Sequence, residues 1–277
     1  MAQYTLLIDT QDKKGIIYEI SKIIYENDLN IFENSEFVDK ENNKFFMRTI
    51  FDGELVVTNI LAKFKKIIDK DSFIKLRENT KKDIVILATK EEHVLGDLLL
   101  RHHALELDVN IKAVISNHKS LEVLVKKFDI PFHYISAKNL RREEHERKVA
   151  QKIDSYSPDI IVLAKYMRIL TPDFVKAYAR KILNIHHSFL PAFIGANPYK
   201  QAFDRGVKSI GATAHFVTDD LDEGQIIAQG IAQVNHKYSW QDMQKTGKDI
   251  EKAILAKALD LLLKDKVFIY GNKTVIL

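Results

Sequence analysis

Hydrophobic and polar positions alternate with two different periods along this chain, and the changes of period mark its elements. The first 78 residues read as strand, helix, strand, strand, helix, strand. YTLLID is an opening strand; after DKKG, Ile16, Ile17, Ile20, Ile23 and Ile24 recur at helical spacing. NSEFVD and FFMRTIF are strands on either side of KENNK, which has the composition of a hairpin loop. VVTNILAKFKKII predicts an amphipathic helix, and SFIKLRE closes the set. The order βαββαβ predicts a ferredoxin-like sandwich over residues 1–80.

From KKDIVILATK onward the pattern changes. That segment is an apolar strand bounded by charge, as expected where both faces of a parallel sheet are covered. Strands are expected at 84–88, 111–115, 132–135 and 159–163, with helices at 92–107, 120–128 and 142–156 between them. Such alternation predicts a doubly wound, mostly parallel α/β sheet in a second domain over 81–277. The turn after its first strand, TKEEHVLGD, is bulky and acidic and carries no G-x-G-x-x-G, so a dinucleotide cofactor is not expected. Further on, strands are expected at 211–217 and 226–234, then a helix from Ser239 to Leu263. VFIYGNKTVIL closes as a hairpin on a Gly-Asn turn.

With 46% hydrophobic and 29% charged residues among 277, the chain is able to bury a core. No apolar run approaches the roughly 18 residues of a membrane span, and the N-terminus lacks a basic n-region and cleavage site. A cytoplasmic protein with no membrane association is expected. The absence of cysteine excludes disulfides, thiolate zinc sites and thiol nucleophiles. Charge is uneven: residues 1–80 hold 12 basic and 14 acidic groups, the remainder 30 and 24. The cationic second part suits a small anionic substrate. No basic run interleaves with aromatics, so nucleic acid is not an expected partner. All five prolines lie between Pro131 and Pro198, which concentrates special turns in that window.

Two segments in or near that window carry the chemistry. In ILNIHHSFLPAFIGANPY an apolar strand ends in Asn184 and His186, which period-two alternation puts on one face at the carboxyl end where α/β sheets bind ligands. Taken alone, an N-x-H pair is equally a core feature. GATAHFVTDDLDEGQIIAQG is a strand running into an acidic loop that lacks the alternate-position ligands of a calcium site; alone, it reads as a solvated turn.

Taken together, these segments resemble the formyl-folate transferase family, through N-x-H-x-S-x-L-P-x-F-x-G followed by G-A-T-x-H-F-V-x-x-x-x-D-x-G. The resemblance implies that Asn184, His186 and Asp222 are catalytic. It implies that Met167, Arg168, Ile169, Leu170 and Val175 of KYMRILTPDFV help hold the folate, with His187, Gly195, His215, Val217 and Asp219 also at the substrate. Such a trio fits attack on an N-formyl carbon: Asn184 and a cationic His186 supply donors to the developing oxyanion, each typically worth ~10²–10³ in rate. Asp222 would orient His186 and move the nucleophile's proton, worth roughly 10²–10⁴. Zinc would need three protein ligands at tight spacing, which the sequence does not offer, so no metal or cofactor is expected.

The acidic turn TKEEHVLGD is unsuited to an acceptor's phosphate, and HHSFLPAF places His187 where the transferases carry proline. Both features resemble a hydrolytic branch of the family, in which water attacks 10-formyltetrahydrofolate to give formate and tetrahydrofolate. The family's hydrolases imply a role in supplying formate for purine synthesis and in balancing one-carbon pools. Residues 1–80 resemble the ACT family through Asp12, Lys14, Gly15 and Ile16 and the Asn30-Ile31 step. That resemblance implies an amino-acid effector (methionine or glycine) near Asp12, Gly15 and Ile16, or a purely packing role; either implies a homo-oligomer. His93, His102, His103 and His133 are expected to be surface or structural residues.

Overall fold

The computed structural model describes residues 2–192 and 197–277, which form two compact units. The first comprises residues 1–80 and 264–277. Its strands β1 (Gln3–Gln11), β2 (Asn30–Asp39), β3 (Lys44–Asp52) and β4 (Phe73–Glu78) form an antiparallel sheet in the order β2-β3-β1-β4. Helices α1 (Ile16–Tyr25) and α2 (Val57–Ile67) cover one face. The isoleucine spacing works as expected: Ile16, Ile20 and Ile24 of α1 bury against Leu6, Ile8, Phe45 and Met47. The ferredoxin-like order read from the sequence is the order observed.

The end of the chain departs from the expected 81–277 domain. Strands β12 (Val267–Tyr270) and β13 (Lys273–Ile276) belong to the first unit, not the second. The reason lies in the other face of the first sheet, where Leu7 and Phe46 are fully apolar and require cover. Phe268 packs edge-on to Phe46 at 5.7 Å between ring centroids, with Tyr270, Val275 and Leu277 around them. Arg48 Nε donates to the Lys264 carbonyl at 3.0 Å, and Arg77 pairs with Asp265 at 2.7 Å. Burying one phenylalanine of this kind is worth about 1.5–3 kcal/mol, enough to decide where a short hairpin settles.

The second unit, Lys81–Leu263, holds a seven-stranded sheet. Its parallel strands are β5 (Lys82–Ala88), β6 (Val109–Ser116), β7 (Phe132–Tyr134), β8 (Ile160–Ala164) and β9 (Ile182–His186). Then β10 (Ser209–Phe216) and β11 (Ile226–Gln233) add antiparallel, giving the order β11-β10-β9-β8-β5-β6-β7. Ile84 to Ala88 and all of β8 are buried, as two-sided cover requires. Helices α3 (His93–His103), α4 (Glu122–Lys126) and α5 (Arg142–Asp154) link the first strands; α8 (Trp240–Leu263) lies along β9, β10 and β11. From β5 the chain winds outward through β6 to one side and β8 to the other, so the carboxyl ends of β5 and β8 flank a topological switch point where such sheets bind ligands.

Two short helices were not read from the sequence. In α6 (Pro172–Ala177) the Thr171 hydroxyl caps the Phe174 amide and proline opens the first turn. The segment before it, 165–170, is irregular. The other is α7 (Pro198–Arg205), which also begins with proline.

Candidate active site

Strand β9 delivers Asn184 and His186 to one face, with Ile185 buried on the other. Antiparallel pairing sets His215 of β10 opposite Asn184, and Thr213 opposite His186. Thr213 Oγ1 donates to the Ser188 carbonyl at 2.9 Å and accepts from the Leu190 amide at 3.1 Å, which pins the chain as it leaves β9. Gly224 brings the acidic loop back against β10: a Cβ there would lie 1.7 Å from the Phe216 carbonyl oxygen, so only glycine permits so close a return. Asp222, in the left-handed region at φ 58°, is thereby turned toward the histidines.

The resulting polar centre is tightly connected. His186 Nδ1 lies 3.2 Å from Asp222 Oδ2, and Asp222 Oδ1 lies 3.8 Å from His215 Nε2. His215 is 2% exposed; its Nδ1 donates to the Phe216 carbonyl at 2.8 Å, leaving Nε2 to accept from Asn184 Nδ2 at 3.2 Å. Burial lowers the His215 pKa, against the Phe216 bond and the Asp222 charge, and so favours this neutral acceptor form. Asn184 thus keeps one amide hydrogen for the cavity. His186 Nε2 is buried and has no hydrogen-bond partner among the described residues. A buried ring nitrogen in that condition is costly unless a ligand satisfies it. For Asp222, burial pushes the carboxyl pKa up, but the hydrogen bond and charge of His186 outweigh it and leave the group below the ordinary carboxylate range.

These residues line one cavity of about 550 Å³. Met167, Arg168, Ile169, Leu170, Val175, Val217 and Asp219 line it too, as do His187 and His215; Gly195 lies outside the described residues. The backbone of 167–171 is held from outside: the Met167 amide donates to Thr89 Oγ1 at 2.9 Å, and the Thr171 amide to buried Glu146 at 3.0 Å. Met167, Ile169 and Leu221 give the cavity a half-exposed apolar rim. His187 stacks on His186 at 5.0 Å between centroids. Its pKa is pushed down to about 4, first by burial and then by the Lys165 charge.

The sequence missed a second polar cluster on the same cavity. Glu251 of α8 is 1% exposed and meets His93, Lys165 and Tyr199 there. His93, expected as a surface or structural residue, is one of its partners. Of the three residues proposed for an effector in the first unit, Ile16 is buried in the core and is not free to contact a ligand; Gly15 sits at φ 87° in the turn before α1. Among the described residues no group of three or more His, Asp and Glu side chains is arranged to hold a metal ion. No helix among them is long and apolar enough to cross a membrane.

Comparison with known proteins accords with this geometry. Residues 82–259 match the formyl transferase family, which makes the second unit a formyl-transferase domain. A formyltetrahydrofolate deformylase of Haemophilus influenzae is 52% identical over 98% of both chains. The crystal structure of a formyltetrahydrofolate deformylase from Pseudomonas syringae pv. tomato superposes with a TM-score of 0.95 at 37% identity, covering 100% of this chain and 94% of that one. A glycinamide ribonucleotide transformylase from Symbiobacterium toebii superposes with a TM-score of 0.68 at 28% identity, over 71% of this chain and 94% of its own. The chain belongs to the formyltetrahydrofolate deformylase family.

His187 makes a prediction about acid stability. The unfolded chain protonates it near 6.5 and the folded chain near 4, so the unfolded state binds more protons between those values. Its contribution is therefore complete above pH 6.5 and is lost as the pH falls toward 4. Urea unfolding midpoints should drop less between pH 7 and pH 5 in His187→Gln than in the wild type; equal drops would contradict the assignment.

Proposed function

We propose that this chain hydrolyses 10-formyltetrahydrofolate to formate and tetrahydrofolate, using Asn184, His186 and Asp222 and no metal or other cofactor. The observation that carries the reading is the convergence of Asn184 Nδ2, the unpartnered His186 Nε2 and the Asp222 carboxylate at one place in the cavity. Folate lies along the apolar rim formed by 167–170 and Val217, with its formyl group at the trio. As water attacks the formyl carbon, charge grows on the formyl oxygen, and Asn184 and a protonated His186 donate to it. Neither donor must reorganise, because His215 already fixes the Asn184 amide and Asp222 fixes the imidazole. Asp222 takes a proton from the water and returns one to N10 of the folate as the C–N bond breaks. Asp222 is ionised, the state that can accept a proton, and it is held against His186 at 3.2 Å, beside the place where the water must stand. The product formate would feed purine synthesis and the reaction would balance one-carbon pools in the cytoplasm.

The βαββαβ unit is read as an ACT-type regulatory module that binds a small amino acid, methionine or glycine, beside Asp12 and Gly15 and pairs copies of the chain. The turn is open, with no atom within 4 Å of where a Gly15 Cβ would sit. Strand β2 is an edge of its sheet and exposes Phe32 and Phe37, which supports pairing through that edge. Because the hairpin 264–277 belongs to this unit, point substitution is a cleaner probe than truncation at residue 80.

Replacing Asp222 with Asn should lower formate release by about 10²-fold or more while leaving the thermal unfolding curve folded-like, as expected when a proton-transfer group is lost. Wild-type turnover in the variant would remove the mechanism. Methionine or glycine should change the wild-type rate, and Asp12→Ala should keep basal hydrolysis while losing that response; an unaltered response in the variant would place the effector elsewhere.

A further inference from the structure

The most deeply buried carboxylate on the cavity takes no part in the chemistry just described. Glu251 receives three donors from three other elements: His93 Nε2 at 2.8 Å, Tyr199 Oη at 2.7 Å and Lys165 Nζ at 3.3 Å. Burial would raise its pKa, but the His93 bond, the Lys165 charge and the Tyr199 bond bring it down to about 2. Tyr199 reaches Glu251 only because residue 247, one helical turn earlier, is glycine; a Cβ there would stand 2.1 Å from the tyrosine oxygen. Lys165 directly follows β8 in the left-handed region at φ 58°, a backbone state that bulky residues rarely adopt without a compensating contact. Its side chain is 5% exposed.

This cluster adjoins the reaction centre. From Glu251 the polar contacts pass to Tyr199, whose ring centroid lies 6.2 Å from that of His187, and His187 stacks on His186. With folate along 167–170 and Val217, part of the cavity left over is walled by His187, Lys165, Tyr199 and Glu251. A nucleophile larger than water that approaches His186 from this side meets that wall. Glu251 and Lys165 offer it little: three donors already hold the carboxylate, and the ammonium is paired with it.

We propose that Lys165, clamped onto Glu251 beside Tyr199 and His93, is a specificity-determining residue that reserves the nucleophile's position for water and turns away amine acceptors. The proposal rests on the hydrolase reading above. With Lys165 removed, space opens and Glu251 gains a free acceptor. An amine then attacks the formyl carbon: the N–C bond forms, the C–N10 bond breaks, and the amine's proton ends on N10.

The test uses the full chain with 10-formyltetrahydrofolate and increasing glycinamide as the probe amine, reading formate against N-formylglycinamide by mass spectrometry. Lys165→Gly is the variant of choice because glycine accepts φ 58° without strain. The wild type should give formate alone at every glycinamide concentration. Lys165→Gly should raise the ratio of formylglycinamide to formate at least tenfold, in proportion to glycinamide. A folded Lys165→Gly enzyme that yields formate alone overturns the proposal, and so does a wild type that formylates glycinamide as readily as the variant. Should the single variant fail to fold, Lys165→Gly with Glu251→Gln, which leaves no uncompensated buried charge, is judged by the same ratio. A wild type that releases no formate without amine would instead strike the hydrolase reading, which separates the two failures.

Discussion

The antiparallel pairing of β10 with β9 sets the position of every reacting group. Shifting that register by one residue would take His215 from Asn184 and turn both onto opposite faces, because side chains alternate along a strand. With the register as it is, His215 aims Asn184, Thr213 pins the exit from β9, and the chain leaves β10 within reach of a return loop. Gly224 then allows the backbone to come back closer than any side chain would permit, and Asp222 arrives against His186. The geometry of the proposed catalytic trio is thus a consequence of strand pairing and one glycine.

A buried and a partly buried carboxylate, Glu251 and Asp222, share the cavity, and the balance of burial against hydrogen bonding gives them different characters. Asp222 is held by His186 at 3.2 Å, and its second oxygen has only a long approach from His215 at 3.8 Å. It is ionised yet has capacity to spare, which suits proton transfer. Glu251 is held by three donors spread over both oxygens, which suits a wall. Burial opposes ionisation in both, and in both the donors win; the number of donors separates a working group from a fixed one.

The sequence disclosed most of what is local. Strand and helix alternation, the isoleucine stripe of α1 and the N-x-H pair at the end of β9 follow from periodicity over a few residues, and the structure places them as read. It disclosed less wherever distant segments meet. The hairpin 264–277 looked like the tail of the second domain because nothing within it names its partner; only the apolar underside formed by Leu7 and Phe46 explains its place. His93, Lys165, Tyr199 and Glu251 come from four elements, and a lone Glu in a long charged helix reads as a solvated face. A glycine inside that helix, Gly247, was the available signal that something large packs there. Thr171-Pro172-Asp173 likewise spells a capped helix start, a local signal for α6.

Water is the proposed nucleophile, in a site built from side chains alone. This is tested most directly by incubating the full chain with 10-formyltetrahydrofolate in ¹⁸O-enriched water, with a metal chelator present and no amine. Stoichiometric tetrahydrofolate and formate should form, with one oxygen of each newly formed formate drawn from the labelled solvent. Silence until an amine is added, or turnover that stops with chelation, would contradict it.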